Sequence, residues 1–92
     1  MMNSKAPLEF EAELIHPDEA GSWTVFDVPG SIAHFGTGNP VRVTGLIDDT
    51  PVQITLMPTG RGLHFGPVKA ATRKLLGKAV GDRVRVRIEA VA

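Results

Sequence analysis

An alternating pattern begins at Leu8. In LEFEAELI, Leu8, Phe10, Ala12 and Leu14 take turns with Glu9, Glu11 and Glu13, the period of two that marks a half-buried strand. The same period returns near the far end, where Val84, Val86 and Ile88 alternate with Arg83, Arg85 and Arg87. Between them, WTVFDV, VRVTGLI and PVQITLM are rich in β-branched and aromatic residues and predict three more strands. DDT joins the last two of these as a hairpin, and Gly45 is expected to make a bulge. LHFG predicts a further short strand. HPDEAGS reads as a turn broken by Pro17 and Gly21, and PGSIAHFGTGNP as a loop with one helical turn at Ser31–Phe35.

Pro67 is expected in the first turn of a helix. Val68, Ala71, Thr72, Leu75 and Ala79 form its apolar stripe at helical spacing, with Lys69, Arg73, Lys74 and Lys78 off the stripe and Gly77 as its stop. Residues 1–7 lack periodicity and read as a flexible tail, leaving 8–92 as a single domain. Six strands and one helix before the last strand predict a mostly β fold. Its architecture is a small closed or split antiparallel β-barrel, which leaves few sheet edges exposed.

Charge sharpens this picture. Residues 1–41 hold six acids and one base, and residues 42–92 hold nine bases and four acids, so the 92-residue chain is neutral. The acidic and basic combs match if the first and last strands pair antiparallel, with Glu9 opposite Arg87, Glu11 opposite Arg85 and Glu13 opposite Arg83. Opposite charges across a sheet contribute about 0.2–1 kcal/mol each, with exposed pairs at the low end. Their larger effect is on register, because a one-residue slip would turn the arginines inward. A phosphate-binding stripe is the competing reading, but RVRVRIE has no aromatics between its bases for stacking. Net neutrality also disfavours nonspecific binding to nucleic acid.

Composition excludes several classes of function. One domain of this size buries about 60–65% of its unfolded surface, leaving little chain to wall a large pocket. There is no cysteine, hence no disulfide framework, thiol nucleophile or cysteine-bound metal, which fits a reducing cytoplasm. MMNSKAP lacks the apolar stretch of a secretory signal, and no apolar run approaches a membrane span.

The candidate chemistry gathers in GRGLHFGPVKAATRK. Gly60, Gly62 and Gly66 are spaced by two and four, not by the two and three of a dinucleotide loop, and no Gly-Lys-Ser/Thr follows. A helix start beside basic residues still suits an anion. Arg61, His64, Lys69 and Arg73 are therefore the candidate anion-binding residues. The structural alternative is that the glycines supply positive φ for a tight connection. His16, His34 and His64 lack metal-ligand spacing and read as surface or turn histidines. Asp48 and Asp49 suit a turn, and Ser22 and Ser31 lack a nucleophile-elbow setting. No catalytic residue, cofactor or metal site is identified. Trp23 and Phe26 fall on opposite faces of one strand, so one of them belongs to the core.

From FEAELI through WTVFDVP to VRVTGLIDDTPVQITLMPTGRGLHFGPVKAATRKLLGKAVGDRVRVRIE, the chain resembles a small bacterial domain family of unknown function. Members of that family are also fused to bacteriocin-protection, OmpD-associated proteins. The likeness covers about residues 8–90. It is most specific at Gly62–His64 and in VKAATRKLLGKAVGDRVRV, where a basic pair, a glycine-ended helix and Gly81-Asp82 precede the final strand. The resemblance implies a split barrel related in outline to AbrB-like transcription-factor domains, which bind DNA as intertwined dimers, and it carries no site residue over. The expected role is a non-catalytic binding or interaction module in the cytoplasm. Its partners would be a second copy in a homodimer, or a small anion or acidic protein. The alternatives are a DNA-binding regulator, with nucleic acid disfavoured by the charge balance, and third a small enzyme or anion-ligand binder.

Overall fold

The computed structural model describes residues 6–17 and 23–91. Most of the expected tail, and residues 18–22 of the HPDEAGS turn, lie outside the described residues. The elements in chain order are β1 (Leu8–Glu13), β2 (Thr24–Val28), α1 (Ser31–Phe35), β3 (Val41–Ile47), β4 (Thr50–Pro58), β5 (His64–Val68), α2 (Ala70–Leu76) and β6 (Arg83–Ala90). All strand pairs are antiparallel, in the order β1-β6-β3-β4-β5-β2. The outermost strands of that order nearly meet. Ile15 and Val25 exchange two backbone hydrogen bonds of 2.9 Å, which brings β1 to β2 and makes the sheet a nearly closed barrel.

The inward side chains are those that the period of two selects. Ala12, Leu14, Phe26, Val28, Val43, Ile47, Leu56, Val68, Val84, Val86 and Ile88 form one buried cluster, with Leu8 and Phe10 packed against it. Phe26 is the core aromatic of its strand, while Trp23 is 51% exposed and leans on Phe65 at 6.4 Å between ring centroids.

β1 and β6 pair in the register expected from their charges: Glu9 with Arg87, Glu11 with Arg85 and Glu13 with Arg83. The ion pairs are partly displaced along the strands. Glu9 reaches Arg87 directly at 3.6 Å and Arg85 diagonally at 3.5 Å, and Glu11 reaches Arg83 diagonally at 3.8 Å. Strand twist moves long side chains toward diagonal neighbours, which remain within their reach. Glu9 is thus shared by two arginines, all of them well exposed. Glu9→Gln is expected to cost less than about 1 kcal/mol at low ionic strength. In urea unfolding that loss should vanish in roughly 1 M salt, where charges are screened within about 3 Å.

Three sequence expectations require correction. Gly45 is not a bulge: β3 runs in unbroken register, with Gly45 facing Val52 on one side and Ile88 on the other. Glycine is required there because a Cβ would strike the carbonyl of Arg87. Pro67 is not in a helix but near the end of β5, and α2 starts three residues later with Lys69 at its N-cap. Finally, the apolar stripe is misplaced. Val68 belongs to β5 and the barrel core, Leu75 is 76% exposed, and Leu76 is the residue that packs on the core. Gly77 does end the helix, at φ 67°, with its N–H donating to the carbonyls of Arg73 and Lys74.

Candidate functional site

A cleft lies where the barrel wall fails to close. The turn residues Asp48 and Asp49 both have positive φ, the mark of a two-residue hairpin turn. Asp48 donates its N–H to the carbonyl of Arg85, and Arg42 accepts from Val91, so the even residues of β3 bond outward to β6. By alternation the odd residues, Val41 to Ile47, bond to β4, and they meet Leu56, Ile54, Val52 and Thr50. Pro51, Gln53, Thr55 and Met57 must then aim their backbone groups the other way, toward β5.

Only the end of that edge is used. Thr59 donates to the carbonyl of Leu63, and Met57 and Pro58 pair with Phe65 and His64. The next β5 residue facing β4 is Pro67, which has no N–H to donate. The ladder stops, the chain turns into α2, and among the described residues no strand pairs with the edge of β4 from Pro51 to Thr55. Pro67 therefore acts by ending a sheet, not by starting a helix.

The result is a cleft of about 720 Å³ between β4 and the chain from Pro67 to Arg73. Trp23 stands at its margin, held by a 2.9 Å hydrogen bond from His16 Nδ1 to its carbonyl. Lys69 and Arg73, one helical turn apart, supply two positive charges, and among the described residues no acid lines the cleft. Arg73 Nε is buried and has no hydrogen-bond partner among the described residues.

The structure brings together two of the four residues singled out from sequence. Lys69 and Arg73 share the cleft. Arg61 is in the β4–β5 connection, outside the cleft lining, within 3.8 Å of Asp27. His64 is fully buried, which corrects its reading as a surface or turn histidine. The Ser31 hydroxyl donates to His64 Nδ1 at 2.7 Å and accepts from the His64 backbone N–H at 2.8 Å. Nε2 lies 2.8 Å from the Asn39 carbonyl, which can only accept, so Nε2 carries the proton. Both members of this serine–histidine couple are fully buried. The couple ties α1 and the loop after it to β5.

Gly60 and Gly62 do supply positive φ, at 83° and 87°. Gly66 serves packing instead, since a Cβ there would meet the ring of Phe26. Sequence reasoning passed over Gln53, Thr55 and Met57 as cleft residues and left Trp23 undecided. The signal available was Pro67, whose missing donor marks where the wall opens.

Among the described residues no group of three or more His, Asp or Glu side chains could hold a metal ion, and no helix is long and apolar enough to cross a membrane. The architecture is a nearly closed antiparallel β-barrel with an open seam roofed by a short helix. The family model described as a domain of unknown function, DUF1905, matches residues 10–88, and the chain belongs to that family. No curated protein matches the sequence.

Proposed function

We propose that this domain is a non-catalytic binding module whose ligand occupies the cleft between β4 and α2, with an anionic group at Lys69 and Arg73. The observation that carries the reading is Arg73 Nε, a buried donor that finds no acceptor among the described residues, in a cleft whose described lining holds no carboxylate. An unsatisfied buried donor costs about 1–3 kcal/mol, and an incoming oxyanion would relieve that cost. Arg61 and His64 are not part of this site: one lies against Asp27 and the other is enclosed.

The alternative of a DNA-binding regulator gains nothing from the arginine strand. The guanidinium groups of Arg83, Arg85 and Arg87 sit beside Glu9 and Glu11, so they do not form an open cationic face. A cysteine-free chain fits a reducing compartment, and a cytoplasmic location is part of the same proposal.

Titration with glutarate and with inorganic phosphate, followed by ¹⁵N NMR, tests the reading. Shifts are expected at the Trp23 indole and at Gln53, Thr55, Lys69, Ala70 and Arg73, and Arg73→Gln should remove them. Shifts confined to Gly60–Gly66, or none with either anion, would overturn it.

A further inference from the structure

The cleft has one feature that a site for a small anion does not need. Its long wall is the backbone edge of a strand. Gln53 and Thr55 each direct an N–H and a C=O into it, as the alternation of the β3–β4 ladder requires. Such an edge is a template for another strand. Proteins usually blunt it with charge or cover it; here, among the described residues, Pro51 obstructs one end of the edge, and the cleft lies alongside the remainder.

Resting on the binding reading above, we infer that the ligand is an extended acidic peptide segment, which adds to β4 as a strand and places one carboxylate at Arg73 and Lys69. The edge from Pro51 to Thr55 accommodates about five residues at roughly 3.4 Å each. Main-chain hydrogen bonds to Gln53 and Thr55 would set the peptide's direction and register. Met57 and Trp23, which line the same cleft, offer apolar contact to alternate side chains. Arg73 takes the carboxylate because a guanidinium matches its planar geometry with paired donors.

Charge selects this occupant over a second copy of the chain. A symmetric β4-to-β4 pairing places the same surface on both sides. It would bring Lys69 and Arg73 of one protomer toward the same cations of its partner, and would leave the Arg73 Nε donors unsatisfied. An acidic strand removes both difficulties.

The test begins with selection of a displayed library of random heptapeptides against the intact protein, with Arg73→Gln as the counter-target. Enrichment of sequences that alternate β-branched residues and carry an Asp or Glu at one fixed position is expected. The best such peptide should slow amide hydrogen exchange at Gln53 and Thr55. Methylating the peptide backbone nitrogens that face β4 should abolish binding, and Arg73→Gln should weaken it about tenfold, the equivalent of one charge-assisted hydrogen bond.

Four outcomes would overturn the inference. No acidic enrichment is one. Equal binding of the backbone-methylated peptide is another, since it would show side-chain capture without strand addition. A third is protection of Gln53 and Thr55 that rises with protein concentration alone, alongside a dimer in sedimentation, which would assign the edge to a second copy. The fourth is glutarate or phosphate binding at the cleft with no peptide binding at all. In that last case the anion site stands and only the strand is lost. Failure of anions and peptides together would remove both.

Discussion

A Gly45→Val chain is expected not to fold, and Gly45→Ala to fold with a severe loss of stability. Gly45 lies in the inward row of β3, between β4 and β6. A Cβ there would strike the Arg87 carbonyl and crowd Ile88 Cα. Those atoms are backbone in a paired strand, so no side chain can rotate to make room. Relief requires β3 and β6 to separate, and β6 also carries the pairing with β1. Alanine should cost about 3 kcal/mol, the upper end for forcing extra volume into a packed interior. In a domain this small that lowers the melting temperature by roughly 12–24 °C, at about 4–8 °C per kcal/mol. Gly38→Ala is the control. The nearest atom to its Cβ is Ile32 Cδ1 at 3.8 Å, an ordinary contact, and its melting curve should overlay the parent. A Gly45→Ala protein as stable as the parent would contradict the close approach of β3 and β6 at this point.

The second large effect is expected at Ser31. Its hydroxyl donates to His64 Nδ1 and accepts from the His64 N–H, with both residues fully buried. Ser31→Ala leaves a buried donor and a buried acceptor together, at about 1–3 kcal/mol each, so a loss of roughly 3 kcal/mol should appear in urea unfolding. Adding His64→Leu removes the ring acceptor and should restore part of the loss. Recovery stays incomplete because the backbone N–H at position 64 remains unanswered. If the double variant were as destabilised as the sum of the singles, the hydroxyl–imidazole bond would not be the source.

These two sites also show what the sequence could and could not disclose. Strand positions were legible because a barrel with one wet face imposes a period of two over five or more residues, as in Leu8–Leu14 and Arg83–Ile88. Register of β1 against β6 was legible because two combs of opposite charge fit in one alignment. Helix α2 was harder. Seven residues make two turns, too few for periodicity to choose between Leu75 and Leu76. Pro67 was ambiguous for a physical reason: its missing N–H is as tolerable at an unpaired strand edge as in a first helical turn. Gly45 announced an exception without its cause, since a bulge and a close approach both exclude a side chain. His64 shows no partner in sequence, because Ser31 and Asn39 reach it only across the fold. The cleft was not legible at all beyond Lys69 and Arg73. It is a gap between segments distant in the chain, and it exists because one donor is missing.

The placement of β6 between β1 and β3 bears on how the molecule is born. As the chain leaves the ribosome, the hairpin of β3 and β4 can form early, and β2 can find β5. The opening strand, with its three glutamates, meets β2 through Ile15 on Val25 and Phe10 on Phe26, but its hydrogen-bonded partner is missing until the arginine strand emerges. Assembly of the wall therefore waits for the last stretch to be synthesised. During that delay an acidic surface strand stays soluble where an apolar one would seek the wrong neighbour.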